Sequence, residues 1–434
     1  MAIANVNRQT ATVAAPPVTD KKAMAIVTTL FFMWGFMTAL NDILVPHLKP
    51  IFDLNYAQIM LIQFAFFSAY FVFSLPSAQV IEWIGYKWAM VVGLFTMGLG
   101  AFLFIPAATV PSYPLFLTAL IVLAAGMTIL QVSANPYVAV LGPPETASSR
   151  LNLTQAFNSL GTTIAPYLGG LFILTAAPNM GAVRQLSADA LQAFRVQQAS
   201  SVKLPYLGLG LIAVLLGLAI ATYKLPVISS AVHHKGEATA SVWKYRHLVL
   251  GAVGIFVYVG AEVSIGSFLV NYFSQKDIGD ITEKVAAGYV SLYWLCAMIG
   301  RFIGSAILQK LRTGLVLGTA AILALLLVCV SMLTFGHVAM WSIILVGLFN
   351  SIMFPSIFTS GIAELGPVTS KGSSMLIMAI VGGAIVPVAV GALADRIGIH
   401  HSFILPAICY LYIMYYGFAG SKPMGPGITE AKVA

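Results

Sequence analysis

Apolar stretches long enough to cross a membrane recur along the whole chain. A helix of about 20 apolar residues spans a hydrocarbon core roughly 30 Å thick. The stretches are continuous, without the alternation of barrel strands, and a helix satisfies its backbone hydrogen bonds internally in lipid. The sequence therefore predicts an all-α membrane protein. Its twelve predicted transmembrane helices lie at 25–46, 57–81, 87–107, 113–140, 150–176, 204–223, 246–273, 283–310, 312–335, 338–363, 372–397 and 402–420.

The composition excludes an ordinary soluble domain. Charged residues make up 8% of the chain and hydrophobic residues 59%, whereas a soluble domain is about 25% charged. The net charge of +8 reflects topology rather than a nucleic-acid partner, which we do not expect. With the N-terminus in the cytoplasm, fourteen of the 22 Lys and Arg residues fall on that side and seven fall outside. This bias follows the positive-inside rule, and an even number of spans then places both termini in the cytoplasm.

One polar segment, VISSAVHHKGEATASVWKYRH, divides the predicted helices six and six. The N-terminal tail is polar and lacks the apolar core and cleavage site of a secretory signal. A second long loop, at about 177–203, falls on the outer side, and its 189–199 portion predicts a surface helix. The predicted order is tail, six-helix bundle, linker, six-helix bundle and tail, at 1–24, 25–226, 227–247, 248–420 and 421–434.

Corresponding prolines indicate that the two bundles are repeats. Pro166 and Pro387 are 221 positions apart, and Pro136 and Pro355 are 219 positions apart. We expect Pro136 and Pro355 to break their helices and free backbone groups. Two six-helix halves related by a pseudo-two-fold axis are typical of the major facilitator fold, in which the substrate binds near the membrane midplane between the halves.

Three charged side chains, Asp42, Glu262 and Arg301, fall inside the predicted helices. A charge at the bilayer centre costs at least about 2.5–3.5 kcal/mol, so each of these side chains is expected to be paired or to have a functional role. Asp42 and Glu262 are 220 positions apart, which matches the repeat, and we expect them on opposite sides of a central cavity. Alternatively, Asp42 ends its helix near the outer headgroups. For Arg301 we expect a structural role, in snorkelling or in capping neighbouring helix ends.

The two acids predict coupling to a cation. Desolvation favours the protonated form of a carboxyl group, and a cavity that opens alternately to each side changes the access of the proton. The same group, when ionised, binds sodium together with carbonyl or amide oxygens. The sequence leaves proton and sodium open, and we expect no resident cofactor or metal.

Neutral hydrogen-bonding side chains accompany the acids at membrane depth. Gln131 and Asn135 share one helix face, and Gln155 and Asn158 share another. Shared faces favour a lined cavity over the alternative that amides only join helices. A polyhydroxylated ligand needs amide donors and acceptors, and a sugar also stacks on an aromatic ring. Further candidates are the amides Gln63, Asn271 and Asn350 and the aromatic residues Trp34, Tyr258, Tyr293 and Trp294.

An enzyme is not expected, because the chain shows no nucleophile or metal constellation. His233-His234 and His400-His401 are loop pairs without further ligands in the sequence. The three cysteines lie in separate apolar helices, which predicts neither a disulfide framework nor a zinc site. They are Cys296, Cys329 and Cys409.

Several motifs carry a family resemblance: FFMWGFMTALNDILVPHLK, ILQVSANPYVAVLG, SSRLNLTQAFNSLGTTIAP, YVGAEVSIGSFL and GGAIVPVAVGALAD. They resemble the fucose/galactose/glucose:cation symporter family of the major facilitator superfamily, especially its bacterial glucose/galactose branch. The resemblance implies that Asp42 matches an aspartate that takes part in proton-linked fucose transport, and that Gln155 and Asn158 match polar cavity residues. The chain departs from the fucose symporters in two places. They carry a glutamate in helix 4 where this chain has Gln131, and an amide in helix 7 where it has Glu262.

The sequence and the resemblance together predict a multi-pass symporter of the bacterial inner membrane that acts as a monomer and imports a hexose, glucose or galactose. An importer of L-fucose or N-acetylglucosamine is an alternative on the same fold, and a membrane sugar sensor without net transport is an alternative of another class. Asp42 and Glu262 are predicted to couple the cation. The predicted substrate contacts are Trp34, Gln131, Asn135, Gln155, Asn158, Tyr258 and Asn350.

Overall fold

The computed structural model describes residues 18–52, 56–172, 187–226 and 241–425, apart from the side chains of 41–51, 56–60, 63, 166–167, 169–172, 188 and 283–284. These ranges are helical and contain no strand. The helices are α1 Lys21–Phe52, α2 Tyr56–Thr109, α3 Tyr113–Val140, α4 Ala147–Phe172, α5 Ala188–Ser200, α6 Lys203–Thr222, α7 Arg246–Phe273, α8 Glu283–Ile307, α9 Thr313–Leu333, α10 Gly336–Asn350, α11 Met353–Gly361, α12 Thr369–Met378, α13 Gly382–Ile397, α14 Ile399–Ser402 and α15 Ile404–Tyr415.

The helices confirm the predicted all-α membrane fold with twelve spans. Ten described helical stretches are long and apolar enough to cross a membrane. Helix α2 holds two of the predicted spans, because Gly85 leaves the helix with φ 77° and ψ 168°, a conformation that glycine adopts without steric cost. Helix α4 falls outside the ten, since it carries Arg150 and several amides, yet it occupies the position of the fifth predicted span.

The prolines behave differently from one repeat to the other. Pro136 lies inside α3, which continues to Val140, so the predicted break at this proline is wrong. The matching span is interrupted at Ser351 and Ile352, and Pro355 sits in the first turn of α11. A proline there removes no intrahelical hydrogen bond, because the first N–H groups of a helix have no partner within it.

The surface helix predicted at 189–199 is confirmed by α5, whereas its position on the outer side stays a prediction. The Ser187 side chain caps it by accepting a hydrogen bond from the Ala190 backbone nitrogen at 3.3 Å. Helix α5 packs against α1, α2 and α6. It therefore belongs to the N-terminal half of the chain, by which we mean residues 18–226, with residues 241–425 as the C-terminal half.

Each half packs mainly on itself. In the N-terminal half, α2 packs against α3 and α6, and α1 packs against α4. In the C-terminal half, α7 packs against α11, α13 and α15, and α9 packs against α10 and α15. The halves meet where α4 packs on α8 and α11, and where α12 packs on α2 and α3. This pairing agrees with two bundles, although the predicted boundaries at 25–226 and 248–420 stay a prediction.

Both ends of the described chain lie at one end of the bundle. The Asp20 backbone nitrogen donates to Leu141 O at 3.1 Å, and the Arg246 backbone nitrogen donates to Met424 O at 3.2 Å. One cavity at this end is lined by residues of both halves, among them Pro144, Arg312, Glu364 and Lys422. We call this the terminal end of the molecule.

The contact between α2 and α3 depends on a glycine. A Cβ at Gly100 would lie 2.6 Å from the Leu123 Cα, which leaves no room for a methyl group. We expect Gly100→Ala to lower the free energy of unfolding by about 1–3 kcal/mol through overpacking, measured as the thermal unfolding midpoint in detergent. Gly208→Ala is the matched control, because no described atom lies within 4 Å of its Cβ position, and a helical alanine there should be neutral or stabilising. Equal effects of the two changes would contradict the close approach of α2 and α3.

Candidate functional site

The N-terminal half contributes amides that are held by neighbouring helices. The Gln131 Nε2 on α3 donates to the Tyr70 hydroxyl on α2 at 2.9 Å. The Asn158 Nδ2 on α4 donates to the Phe31 carbonyl on α1 at 2.9 Å. Gln155, one turn before Asn158, is buried. These contacts orient two of the predicted substrate-binding amides.

The C-terminal half contributes a cluster of polar side chains around an acid, which we call the acid cluster. It consists of Tyr258, Glu262, Tyr293, Arg301, Asn350 and Tyr410. The Asn350 Nδ2 donates to the Tyr293 hydroxyl at 2.9 Å. Within the described part of the chain, the Tyr258 and Tyr410 hydroxyls, Asn350 Oδ1 and Glu262 Oε1 are buried without a hydrogen-bond partner. So many unsatisfied groups are unusual in one place, because a buried polar group without a partner costs about 1–3 kcal/mol.

Glu262 lies near the middle of α7. It is deep inside the protein, yet part of the residue remains accessible, so it borders an internal space. The Arg301 guanidinium and the Tyr258 phenol are its electrostatic neighbours. Among the described contacts, however, no ion pair within 4.0 Å joins Glu262 to Arg301. The carboxyl group is therefore near a positive charge without being neutralised by it.

Arg301 connects the acid cluster to the other half. Its Nη1 donates to the Ser159 Oγ and, at 3.3 Å, to the Gln155 backbone carbonyl, both on α4. Its Nε donates to the Ser351 carbonyl at 3.3 Å, where the chain passes from α10 to α11. The arginine thus caps a neighbouring helix end at the Ser351 carbonyl, as expected from the sequence, and it also reaches across the interface between the halves to α4.

Further contacts close the terminal end. The Ser148 and Thr359 hydroxyls lie 2.6 Å apart, and the Ser149 Oγ donates to the Ser305 carbonyl at 2.7 Å. Beside them, the Ser373 Oγ of α12 donates to the Val132 carbonyl of α3 at 2.8 Å. The Lys371 ammonium lies 3.7 Å from a Glu82 carboxylate oxygen. The described hydrogen bonds between the halves extend from this end to the Thr163 hydroxyl and the Met298 sulphur, 4.0 Å apart.

The comparisons with known proteins agree with this architecture. Residues 25–377 match the Major Facilitator Superfamily. The chain belongs to this superfamily. It is 54% identical over 403 residues to a glucose/galactose transporter of Brucella abortus biovar 1 (strain 9-941), covering 92% of this chain and 94% of the relative. It is 36% identical over 401 residues to the L-fucose-proton symporter of Escherichia coli (strain K12), covering 90% of this chain and 91% of the relative.

A solved structure shows the same fold. The major facilitator transporter FucP in the outward conformation superposes with a TM-score of 0.85 at 34% sequence identity, covering 91% of this chain and 97% of FucP. The family resemblance inferred from the motifs is therefore confirmed. These relatives are transporters rather than enzymes.

The remaining predicted site residues of this superfamily member have different surroundings. Asn135 is fully buried, and both of its amide atoms are without a described partner. Trp34 is 3% exposed and packs on Phe31, with ring centroids 4.1 Å apart. Trp294, by contrast, is 42% exposed. The side chains of Asp42 and Gln63 lie outside the described part of the structure, so their predicted roles stay predictions.

The sequence reasoning missed Tyr70, Ser159 and Tyr410. Tyr70 and Tyr410 lie in strongly apolar segments, where nothing local separates a cluster tyrosine from a packing one. Ser159 carried a usable signal, because it follows Gln155 by four positions and therefore shares its helix face.

Two of the three buried tyrosines of the acid cluster, Tyr293 and Tyr258, are predicted to contribute differently to stability. Tyr293→Phe leaves the Asn350 amide without its acceptor, so we expect the free energy of unfolding to fall by about 1–3 kcal/mol. Tyr258→Phe removes a hydroxyl that has no described hydrogen-bond partner, and we expect a much smaller loss. Thermal unfolding of both variants in the same detergent measures the difference. A larger loss for Tyr258→Phe would overturn the hydrogen-bond assignment.

Proposed function

We propose that the chain is a secondary active transporter of the bacterial inner membrane that imports a hexose, glucose or galactose, together with a proton. The observation that carries the proposal is the 54% identity to a glucose/galactose transporter along 92% of the chain. The buried Oε1 of Glu262, which has no described hydrogen-bond partner, supports the coupling to an ion. We further propose that the transporter acts as a monomer.

The surroundings of Glu262 favour a proton over sodium. A sodium ion prefers several oxygen ligands and no neighbouring positive charge, whereas a proton neutralises the carboxyl group itself. Arg301 is an electrostatic neighbour of Glu262, so it would repel a bound sodium ion. The 36% identity to an L-fucose-proton symporter points to the same ion. We therefore propose that Glu262, together with Asp42 in α1, carries the coupled proton.

The substrate-binding roles follow from the two sets of amides. Sugar hydroxyls need donors and acceptors at fixed positions, and these amides are oriented by hydrogen bonds or by burial. We propose that Gln131, Gln155, Asn158 and Asn350 contact the sugar and that Trp34 and Tyr258 border its apolar face. Asn135 and Asn350 are fully buried in this conformation and Tyr258 is 1% exposed, so their proposed contacts with the sugar require a rearrangement of the helices around them.

The contacts at the terminal end support an outward-facing state. We propose that both termini lie in the cytoplasm, as the charge bias predicts. The closed terminal end is then the cytoplasmic gate, and we propose that a separate central space between the halves, which Glu262 borders, opens to the outside. The similarity to FucP in the outward conformation, at a TM-score of 0.85, supports this assignment.

L-fucose is the second candidate substrate, favoured by the identity to the L-fucose-proton symporter. Uptake into proteoliposomes distinguishes the candidates when radiolabelled glucose, galactose, fucose and N-acetylglucosamine are compared under an imposed proton gradient and under an imposed sodium gradient. Accumulation of glucose or galactose with the proton gradient alone supports the proposal. Sugar binding without flux under any gradient would instead indicate a sensor.

If Glu262 carries the coupled proton, replacing it should affect the proton-driven accumulation of sugar much more than the exchange of sugar across the membrane. Glu262→Gln removes the proton site while keeping the shape of the side chain, so we expect sugar counterflow to persist while proton-driven accumulation falls about tenfold or more. Asp42→Asn should show the same separation. Glu145→Gln is the matched control, since it removes a carboxylate that is exposed at the terminal end, and its accumulation should equal that of the wild type. Full gradient-driven accumulation by both Glu262→Gln and Asp42→Asn refutes the coupling assignment.

A further inference from the structure

The guanidinium of Arg301 has N–H groups without a described hydrogen-bond partner, and it lies near an acid with one buried oxygen that also has no described partner. A guanidinium carries five N–H donors, and the described contacts of Arg301 involve Nη1 and Nε. No described hydrogen bond is made by its Nη2. On the neighbouring helix, Glu262 Oε1 is buried without a partner. The two groups are close enough to interact electrostatically but are not paired.

Arg301 therefore has two competing sets of partners. One set, Ser159 and the Gln155 carbonyl, lies in the N-terminal half and is within reach because α4 and α8 are in contact. The other, Glu262, lies in the same half as Arg301. The attraction between a guanidinium and a carboxylate is strong away from water and disappears when the carboxyl group is protonated. The charge of Glu262 thus decides how firmly Arg301 holds α4.

We propose that Arg301 is a positioning residue that links the protonation of Glu262 to closure of the terminal end. When Glu262 is protonated, Arg301 stays on Ser159 and Gln155 and keeps α4 against α8. When Glu262 is ionised, it draws the guanidinium away, and the contact between the halves weakens. Because Gln155 is also a proposed sugar contact, the protonated transporter is held closed until sugar arrives. This clamp opposes a proton leak in the absence of sugar.

Among the described residues, the other titratable groups near Glu262 do not compete for this role. They are the phenols of Tyr258 on α7, Tyr293 on α8 and Tyr410 on α15, and a phenol stays neutral below about pH 10. The described parts of α11, α12 and α13, which also pack on α7, present no titratable group that acts on Glu262. On the α4 side, Arg301 contacts Ser159 and the Gln155 carbonyl, which do not titrate in this range.

The inference rests on the proposed function in giving Glu262 a proton, but its test requires neither sugar nor transport. Spin labels at Glu145→Cys and Lys310→Cys report the separation of the halves, because both positions are exposed at the terminal end on the two sides of the interface. The native Cys296, Cys329 and Cys409 are free thiols and are replaced first. Pulsed electron spin resonance of the full chain in lipid nanodiscs then measures the closed and open populations.

We expect the closed-to-open ratio without sugar to fall at least about fivefold between about pH 5 and about pH 9. In a Glu262→Gln background the ratio should stay high and independent of pH. In Arg301→Gln it should be low and independent of pH. Ser159→Ala removes a single acceptor of Arg301 and should lower the ratio at acidic pH, and it serves as the second test if Arg301→Gln fails to fold. Arg301→Lys keeps the charge without the forked geometry and should restore part of the pH dependence.

Two results overturn the inference. One is a wild-type ratio that does not change with pH, and the other is a pH dependence that survives in Glu262→Gln or Arg301→Gln. A surviving dependence in Glu262→Gln would assign the switch to another group, such as His247 at the terminal end of α7. Either result leaves the proposed symport untouched if Glu262→Gln still loses accumulation. Conversely, Glu262→Gln could accumulate sugar as the wild type does while the closed-to-open ratio of the wild type still depends on pH. In that case the coupling assignment is wrong and the inference about Arg301 stands.

Discussion

The free-energy cost of a carboxyl group in the membrane interior constrains this molecule more than any other interaction. Lipid offers no partner for the charge of Glu262, and the described residues around it supply phenols and one guanidinium without a direct ion pair. An acid in this position gains or loses a proton when small changes occur around it. The structure places Glu262 near Arg301 without a described ion pair, whereas a closely paired acid would be held in its ionised form.

Helix α4 connects this acid to the rest of the protein. It holds α1 through Asn158 and Phe31. It meets Arg301 through Ser159 and Gln155, and it reaches the terminal end of the C-terminal half through Ser148 and Ser149. Such a helix is necessarily polar, because one face is an interface that must form and separate, and hydrogen bonds to hydroxyl groups can be exchanged for water or ligand. This explains why α4 is less apolar than a helix surrounded by lipid.

The acid sits on α7, and the amide Gln131 sits on α3. Gln131 is bound to the Tyr70 hydroxyl, a neutral contact within its own half. Glu262 lies instead near Arg301, which is the one arginine among the described residues whose side chain binds the other half. With this arrangement, the ionisable group and the contact between the halves are close together, so a change of charge acts on the interface over a short distance.

The sequence by itself determined the fold class and the twelve spans, because hydrophobic length is a local property of the chain. From the cost of a buried charge, the sequence also singled out Asp42 and Glu262 as candidates, and their coupling role stays a prediction. It also identified Gln155 and Asn158, whose spacing places them on one face of α4. It misjudged Pro136, since a helix packed among others tolerates a proline that an isolated pattern marks as a break. The tertiary structure alone decided that Arg301 reaches Ser159 rather than Glu262, and that Tyr293 holds Asn350. Those contacts join helices far apart in the chain, and their partners are set by how the two halves pack, which no local pattern encodes.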